Sequence, residues 1–194
     1  MGRRLARGAW AWGLACALLA TGGRVTAQAQ AVTADDVAFV RGMIAHHRQA
    51  LEMTALIERR STRPDIRLLG ERIAVSQQDE IAMMESWLRR YAPAATAAGD
   101  PARDSAHAHH APTMPGMLGA EAMAQLAAAS GEEFDRRFLE GMIAHHRGAL
   151  DMVAALLRSP GSARQPQLHQ MVTDIDADQR AEIARMERLL APPR

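Results

Sequence analysis

One phrase occurs twice in this chain. FVRGMIAHHRQALEM runs from Phe39 to Met53, and FLEGMIAHHRGALDM runs from Phe138 to Met152. Between Phe39–Ala55 and Phe138–Ala154, 12 of 17 positions are identical at an offset of 99 residues. A duplicated unit this short cannot bury its own apolar face, so the two copies must pack on each other. A second correspondence follows each phrase. QQDEIAMMESWL, Gln77 to Leu88, matches the stretch carrying Gln179, Glu182, Ile183 and Met186 at an offset of 102, so the turn inside the second unit is three residues longer. Each unit therefore reads as a helical hairpin, with a His-bearing helix followed by a Gln/Glu/Met-bearing one.

The punctuation agrees. Ser61-Thr62-Arg63-Pro64 separates the first pair and Ser159-Pro160-Gly161-Ser162 the second. Helices are predicted near 34–59, 64–91, 132–158 and 165–190, with a short one over 119–129 ahead of Ser130-Gly131. Aromatics make up only 4% of a chain rich in Ala, Leu, Met, Arg and Glu, a helix-favouring composition. No useful length alternates in the strand manner. The fold class is all-α: a four-helix bundle of two repeated hairpins, residues 30–91 and 119–194, forming one domain. Residues 92–118, rich in Ala, Pro, Gly, Asp and His, read as a flexible linker.

The N-terminus carries an address. MGRRLARG is basic, AWAWGLACALLA is apolar but short of the ~20 residues a bilayer span needs, and TGGRVTAQA supplies small residues. This is the layout of a signal peptide over residues 1–29, cut near Ala27 or Ala29. It implies a periplasmic or secreted protein with no stable membrane insertion after cleavage. The single cysteine, Cys16, lies inside this leader, and Gly13-Leu14-Ala15 lacks the aliphatic residue of a lipid-attachment site. Beyond it no disulfide or thiolate metal site can form. Arg3, Arg4, Arg7 and Arg24 leave with the leader, so 19 basic residues face 22 acidic ones. That mildly acidic balance excludes a nucleic-acid surface.

The repeated face carries the chemistry. At ~100° per residue, Phe39, Met43, His46, His47, Ala50, Met53 and Ile57 share one band. Phe138, Met142, His145, His146, Ala149 and Met152 repeat it. Gln77, Glu80, Met84 and Trp87 share a face of the partner helix, as do Gln179, Glu182, Met186 and Leu189. Gly42 and Gly141 beside the histidines imply the close approach of a backbone, a ligand or a packed helix. Four inward histidines leave ring nitrogens in need of partners. A metal would satisfy them, and so would a structural network with Glu80 and Glu182. Met43 and Met142 lie one turn from their own histidines, with Met53 and Met152 further along; Met83, Met84 and Met186 read equally as packing. Imidazole with thioether suits copper, the reduced ion above all, with zinc or iron less favoured. The linker adds His107, His109, His110, Met114 and Met117 within eleven residues, secondary metal candidates alongside Glu80 and Glu182.

The phrase GMIAHHRxAL-[DE]-M, followed by Q-x-x-E-I-x-x-M, resembles the family named domain of unknown function 305. The resemblance covers about 37–90 and 134–190. It implies a ferritin-like four-helix fold, an extracytoplasmic location and, through association of some members with copper binding and resistance, ligation by Met43, His46, His47, Met53, Met142, His145, His146 and Met152. The second half departs from the first: Trp87 becomes Leu189 and Gln49 becomes Gly148. Three functions are set apart. The leading one is a non-enzymatic copper-binding or buffering protein, whose partners are the ion and, beyond it, a homo-oligomer or a copper-handling protein. The second is a ferritin-like di-metal oxidoreductase, disfavoured because Met43 and Met142 stand where the glutamate of a Glu-x-x-His motif belongs. The third is a metal-free helical interaction module.

Overall fold

A computed structural model describes residues 32–94 and 114–191. The expected signal peptide, with Cys16, and the linker residues His107, His109 and His110 lie outside the described residues. The helices are α1 (Ala34–Ala55), α2 (Ile57–Arg60), α3 (Pro64–Tyr91), α4 (Ala120–Ala128), α5 (Gly131–Arg158) and α6 (Pro166–Leu190). The described residues contain no strand. α1 packs on α3, α5 on α6, and α1 on α5, with α3 also meeting α6. The four long helices form the expected bundle of two hairpins, and α4 lies against α5.

Local chemistry sets the ends. Thr33 caps α1: its hydroxyl accepts from the Asp36 amide at 3.0 Å, and the Asp36 carboxylate accepts from the Thr33 amide at 2.8 Å. Pro64 and Pro166 open α3 and α6 at positions where a missing N–H costs nothing. The Gln165 side chain caps α6 through the Leu168 amide and also accepts from the Trp87 indole at 3.0 Å, tying one hairpin to the other. The first helix was expected to run unbroken to 59. It stops at Ala55, and Leu56 donates to Met53 instead of sustaining the four-residue ladder. Thr54 turns its hydroxyl back onto the Leu51 carbonyl at this point, a bond that loosens helices.

The core is divided. One apolar cluster joins Phe39, Val40 and Met43 of α1, Met84 and Trp87 of α3, Val153 and Leu156 of α5, and Leu168, Val172 and Ile175 of α6. The other joins Ala50, Met53, Ile66, Leu69, Ile73, Phe134, Phe138, Met142, Ile183 and Met186. Each of the four long helices crosses from one cluster to the other, and each crosses at its polar residues. These are His46 and His47 on α1, Gln77 and Glu80 on α3, His145 and His146 on α5, and Gln179 and Glu182 on α6. All eight are buried. Burying each large apolar side chain contributes on the order of 2 kcal/mol, so the two clusters hold the polar layer shut from either side. Met83 departs from its stripe and is 48% exposed.

Asp36 is fully buried and also accepts from the Ala163 amide at 2.7 Å, so it fastens the loop between α5 and α6 to the start of α1. Asp36→Ala removes that bond and half of the capping box. It should cost about 2–3 kcal/mol in urea unfolding; a loss below ~0.5 kcal/mol would show that the loop does not depend on it.

Candidate metal site

The duplicated phrase brings its histidines together at the middle of the bundle. His46 and His145 meet ring to ring, with centroids 3.8 Å apart and planes tilted by 38°. His47 and His146 flank them, their rings 6.5 Å from His46 and 6.1 Å from His145 respectively. Each imidazole has one partner, always at Nε2. His47 pairs with Glu80 at 2.5 Å and His146 with Glu182 at 2.6 Å. His145 donates to the backbone carbonyl of His46, and His46 donates to the carbonyl of Pro115, both at 3.0 Å. A carbonyl can only accept, so His46 and His145 carry their proton on Nε2. An ionised Glu80 or Glu182 imposes the same tautomer on its partner.

The consequence lies on the other side of each ring. Nδ1 of His46, His47, His145 and His146 is buried and has no hydrogen-bond partner. In this tautomer Nδ1 is a bare lone pair. Oε1 of Gln77 and Glu80, and both amide atoms of Gln179, are likewise buried without partners. Each such atom costs about 1–3 kcal/mol unless something supplies its missing bond.

Burial is the main force on the charges here. It holds His46 at about 4, His47 at about 3 and His145 at about 2, against an ordinary 6.5, and the neighbouring imidazoles push each further down. Burial, reinforced by the Glu182 carboxylate, pushes Glu80 up to about 7. Three imidazoles therefore stay neutral at any ordinary pH.

The methionines divide by depth. Met43, Met142 and Met53 are fully buried, whereas Met152 is half-buried at the edge. Among the described residues no three His, Cys, Asp or Glu side chains gather into one metal-binding group. Four imidazole Nδ1 atoms without partners lie in the layer, and the buried thioethers of Met43, Met142 and Met53 belong to the same helices.

The end of the expected linker needs correction. Residues 114–118 are a fixed strap laid across the histidine layer. Met114-Pro115-Gly116-Met117 is a tight turn in which the Met117 amide donates to the Met114 carbonyl at 3.1 Å and Gly116 takes the left-handed φ of 74°. Pro followed by Gly is the signature of such a turn, and it was legible in the sequence as MPGM. Gln49 grips the next residue twice. Its amide donates to the Leu118 carbonyl at 2.9 Å, and its oxygen accepts from the Leu118 amide at 2.8 Å. Gly148, at the position matching Gln49, makes room for the turn: a β-carbon there would sit 1.9 Å from the Pro115 oxygen. The departure of Gly148 from Gln49 is thus the seat of the strap. Gly42 and Gly141 admit side chains, not a backbone. Met114 and Met152 crowd Gly42, and Leu118 and Met53 crowd Gly141.

Comparison with known proteins follows the same lines. The family model described as "Domain of unknown function (DUF305)" matches residues 36–190. A DUF305 fragment from Deinococcus radiodurans is 31% identical, with a TM-score of 0.66 over 82% of this chain and 97% of that one. A DUF305 protein from Streptomyces coelicolor, whose description proposes it as secreted, is 27% identical, with a TM-score of 0.67 over 80% and 91%. CopM in its Cu(I)-bound form is 25% identical, with a TM-score of 0.59 over 79% and 94%. None of the curated proteins matches the chain. No helix among the described residues is long and apolar enough to cross a membrane.

Two outcomes test this geometry. The unfolded chain protonates its histidines below about pH 6.5, while His46, His47 and His145 in the folded chain do so only far lower. Stability is thus intact above pH 6.5 and is lost as pH falls through it. Glu80 opposes this, because folded it keeps a proton up to about 7 that the unfolded chain releases above 4.5. The net difference is about two protons, so stability should fall on the order of 2 kcal/mol per unit from pH 6.5 to 5. Thermal melts of the metal-free protein measure this, and a flat profile would contradict the burial of the imidazoles. Separately, Gly148→Ala should unseat the strap. The Leu118 amide, protected in the wild type by Gln49, should then exchange its hydrogen at least ~10-fold faster; unchanged protection would refute the seat.

Proposed function

The chain belongs to the DUF305 family, and we propose that it is an extracytoplasmic copper-binding protein that holds the ion through histidine and methionine. The observation that carries this reading is the set of four buried Nδ1 lone pairs without partners. Nε2–H bonds from His46 and His145 to two carbonyls, and from His47 and His146 to Glu80 and Glu182 when these are ionised, orient the rings and leave Nδ1 as the donor atom, the arrangement that supports a metal-bound imidazole. Met43 and Met142, buried on the same faces, and Met53 and Met152 beyond them supply soft sulfur. Thioether and imidazole together select copper over magnesium or calcium, with zinc or iron less well matched.

CopM, structurally similar over most of the chain, is known in a Cu(I)-bound form and, at 26% identity, in a Cu(II)-bound form. That likeness supports copper as the ion here. The leader over residues 1–29 and the description of the Streptomyces neighbour support a location outside the cytoplasm. The role is read as binding and buffering, with transfer to a copper-handling protein as its natural outlet. The histidine layer is closed from solvent and carries no activated nucleophile, so it is read as a store and not as a catalyst.

Copper bound at the layer would supply no chemistry to a substrate. It would complete the coordination of lone pairs that the fold otherwise leaves bare. The test is a Cu(I) competition titration against a chromophoric chelator. Changing His46, His47, His145 and His146 to Ala should lower affinity at least ~100-fold, about 2.7 kcal/mol, with helicity checked by circular dichroism. A wild-type protein that never competes with the chelator would end the copper reading.

A further inference from the structure

The pseudo-symmetry of the two halves fails at one chemically telling place. Gly42 and Gly141 are equivalent positions, each one turn before its own histidine. A β-carbon on Gly42 would meet the sulfur of Met114 and the methyl carbon of Met152, both at 3.3 Å. A β-carbon on Gly141 would meet Leu118 at 3.3 Å and the methyl of Met53 at 3.4 Å. Met152 and Met53 are counterparts. Met114 and Leu118, from opposite ends of the strap, are not alike: one half receives a second thioether and the other receives hydrocarbon.

We infer that Met114 and Met152 form a soft-metal site of their own over Gly42, one that takes a monovalent d10 ion such as Cu(I). The inference deepens the copper reading and rests on it. Three observations converge. The absence of a side chain at Gly42 lets the two methionines converge against the backbone of α1. The strap that carries Met114 is fixed, through the Gly116 turn, the two Gln49 bonds to Leu118 and the seat at Gly148. The backbone that carries its thioether is therefore held in place, which lowers the entropy cost of ligation. Finally, Met114 and Met152 are half-buried, whereas Met43, Met53 and Met142 are sealed. An ion can reach the Gly42 pair from solvent without opening the bundle.

The site also borders the histidine layer directly. The residue after Met114 is Pro115, whose carbonyl holds His46, and His46 lies one helical turn from Gly42 with its Nδ1 unpartnered. The Gly42 pair thus stands at the outer edge of the layer, where a captured ion has an imidazole as its next donor.

The test uses Ag(I), a redox-inert ion of the same softness, titrated into protein carrying 13C-labelled methionine methyls. In the wild type the Met114 and Met152 methyl resonances should shift together within the first equivalent. In Met114→Leu the Met152 methyl should no longer shift at that point, and Ag(I) affinity should fall ~10–100-fold. A control at an exposed thioether outside the bundle core, Met83→Leu, should leave both the shift and the affinity within about 2-fold of wild type. If Ag(I) and Cu(I) bind tightly but the Met114 and Met152 methyls stay still, the inference is overturned and the copper reading survives. If neither ion binds, both fall together.

Discussion

A polar layer buried across the middle of an apolar bundle governs the rest of this structure. Eight side chains, two from each long helix, interrupt what would otherwise be one continuous core. Such a layer is expensive, and its expense gives it authority over register. If α1 slid by one turn against α5, His46 would leave His145 and enter the Met and Phe packing on one side or the other. An imidazole stranded there loses its Nε2 partner as well as its Nδ1 one. Apolar side chains tolerate a slip far better than paired polar ones do, and single buried polar positions are known to fix register in helical assemblies. The duplication makes the layer economical: one phrase, used twice in antiparallel helices, presents its histidines to itself.

Exact two-fold symmetry is nonetheless impossible at the centre. His145 donates to the carbonyl of His46, and with the rings in contact the reciprocal bond is not made. His46 needs another acceptor, and the strap provides it in the carbonyl of Pro115. The strap in turn requires unlike residues at equivalent positions, a gripping Gln49 on one helix and a bare Gly148 on the other. The difference between Gln49 and Gly148 is therefore not simple drift. It follows from closing a pseudo-symmetric layer with a single, asymmetric piece of chain.

Periodicity made the helices and the buried faces legible, because 3.6-residue spacing and burial are two views of one fact. Phe39 through Ile57 and Phe138 through Ala149 lie inside as the band predicts, and the ends marked by Pro64 and Pro166 fall where expected. The strap was harder. Residues 92–118 share one Ala/Pro/Gly/His composition, and composition does not reveal that the last five residues dock. Docking is a long-range event: Gln49 meets Leu118 at a separation of 69 residues. Only the Pro115-Gly116 pair carried a local sign. The break at Leu56 was hidden for another reason, since Thr54 is an ordinary helix residue until its hydroxyl turns back on the chain.

In the proposed copper site, the burial that makes the histidines costly would also suit them to be ligands. A metal and a proton compete for the same lone pair, so an ordinary imidazole yields its site as the medium turns acidic. Removal from water lowers the proton's hold on His46, His47 and His145, with burial the largest cause in each case. The same removal penalises a divalent ion more than a monovalent one, because the cost of burying charge rises steeply with its magnitude. Neutral imidazole and thioether donors cannot offset two positive charges as carboxylates would. As the proposed copper site, a dry layer of Nδ1 atoms and sulfur would discriminate on charge as well as softness, and both would favour Cu(I) over zinc. Glu80 and Glu182 do not reverse this, because they are already engaged at Nε2 of His47 and His146 and lie behind the rings.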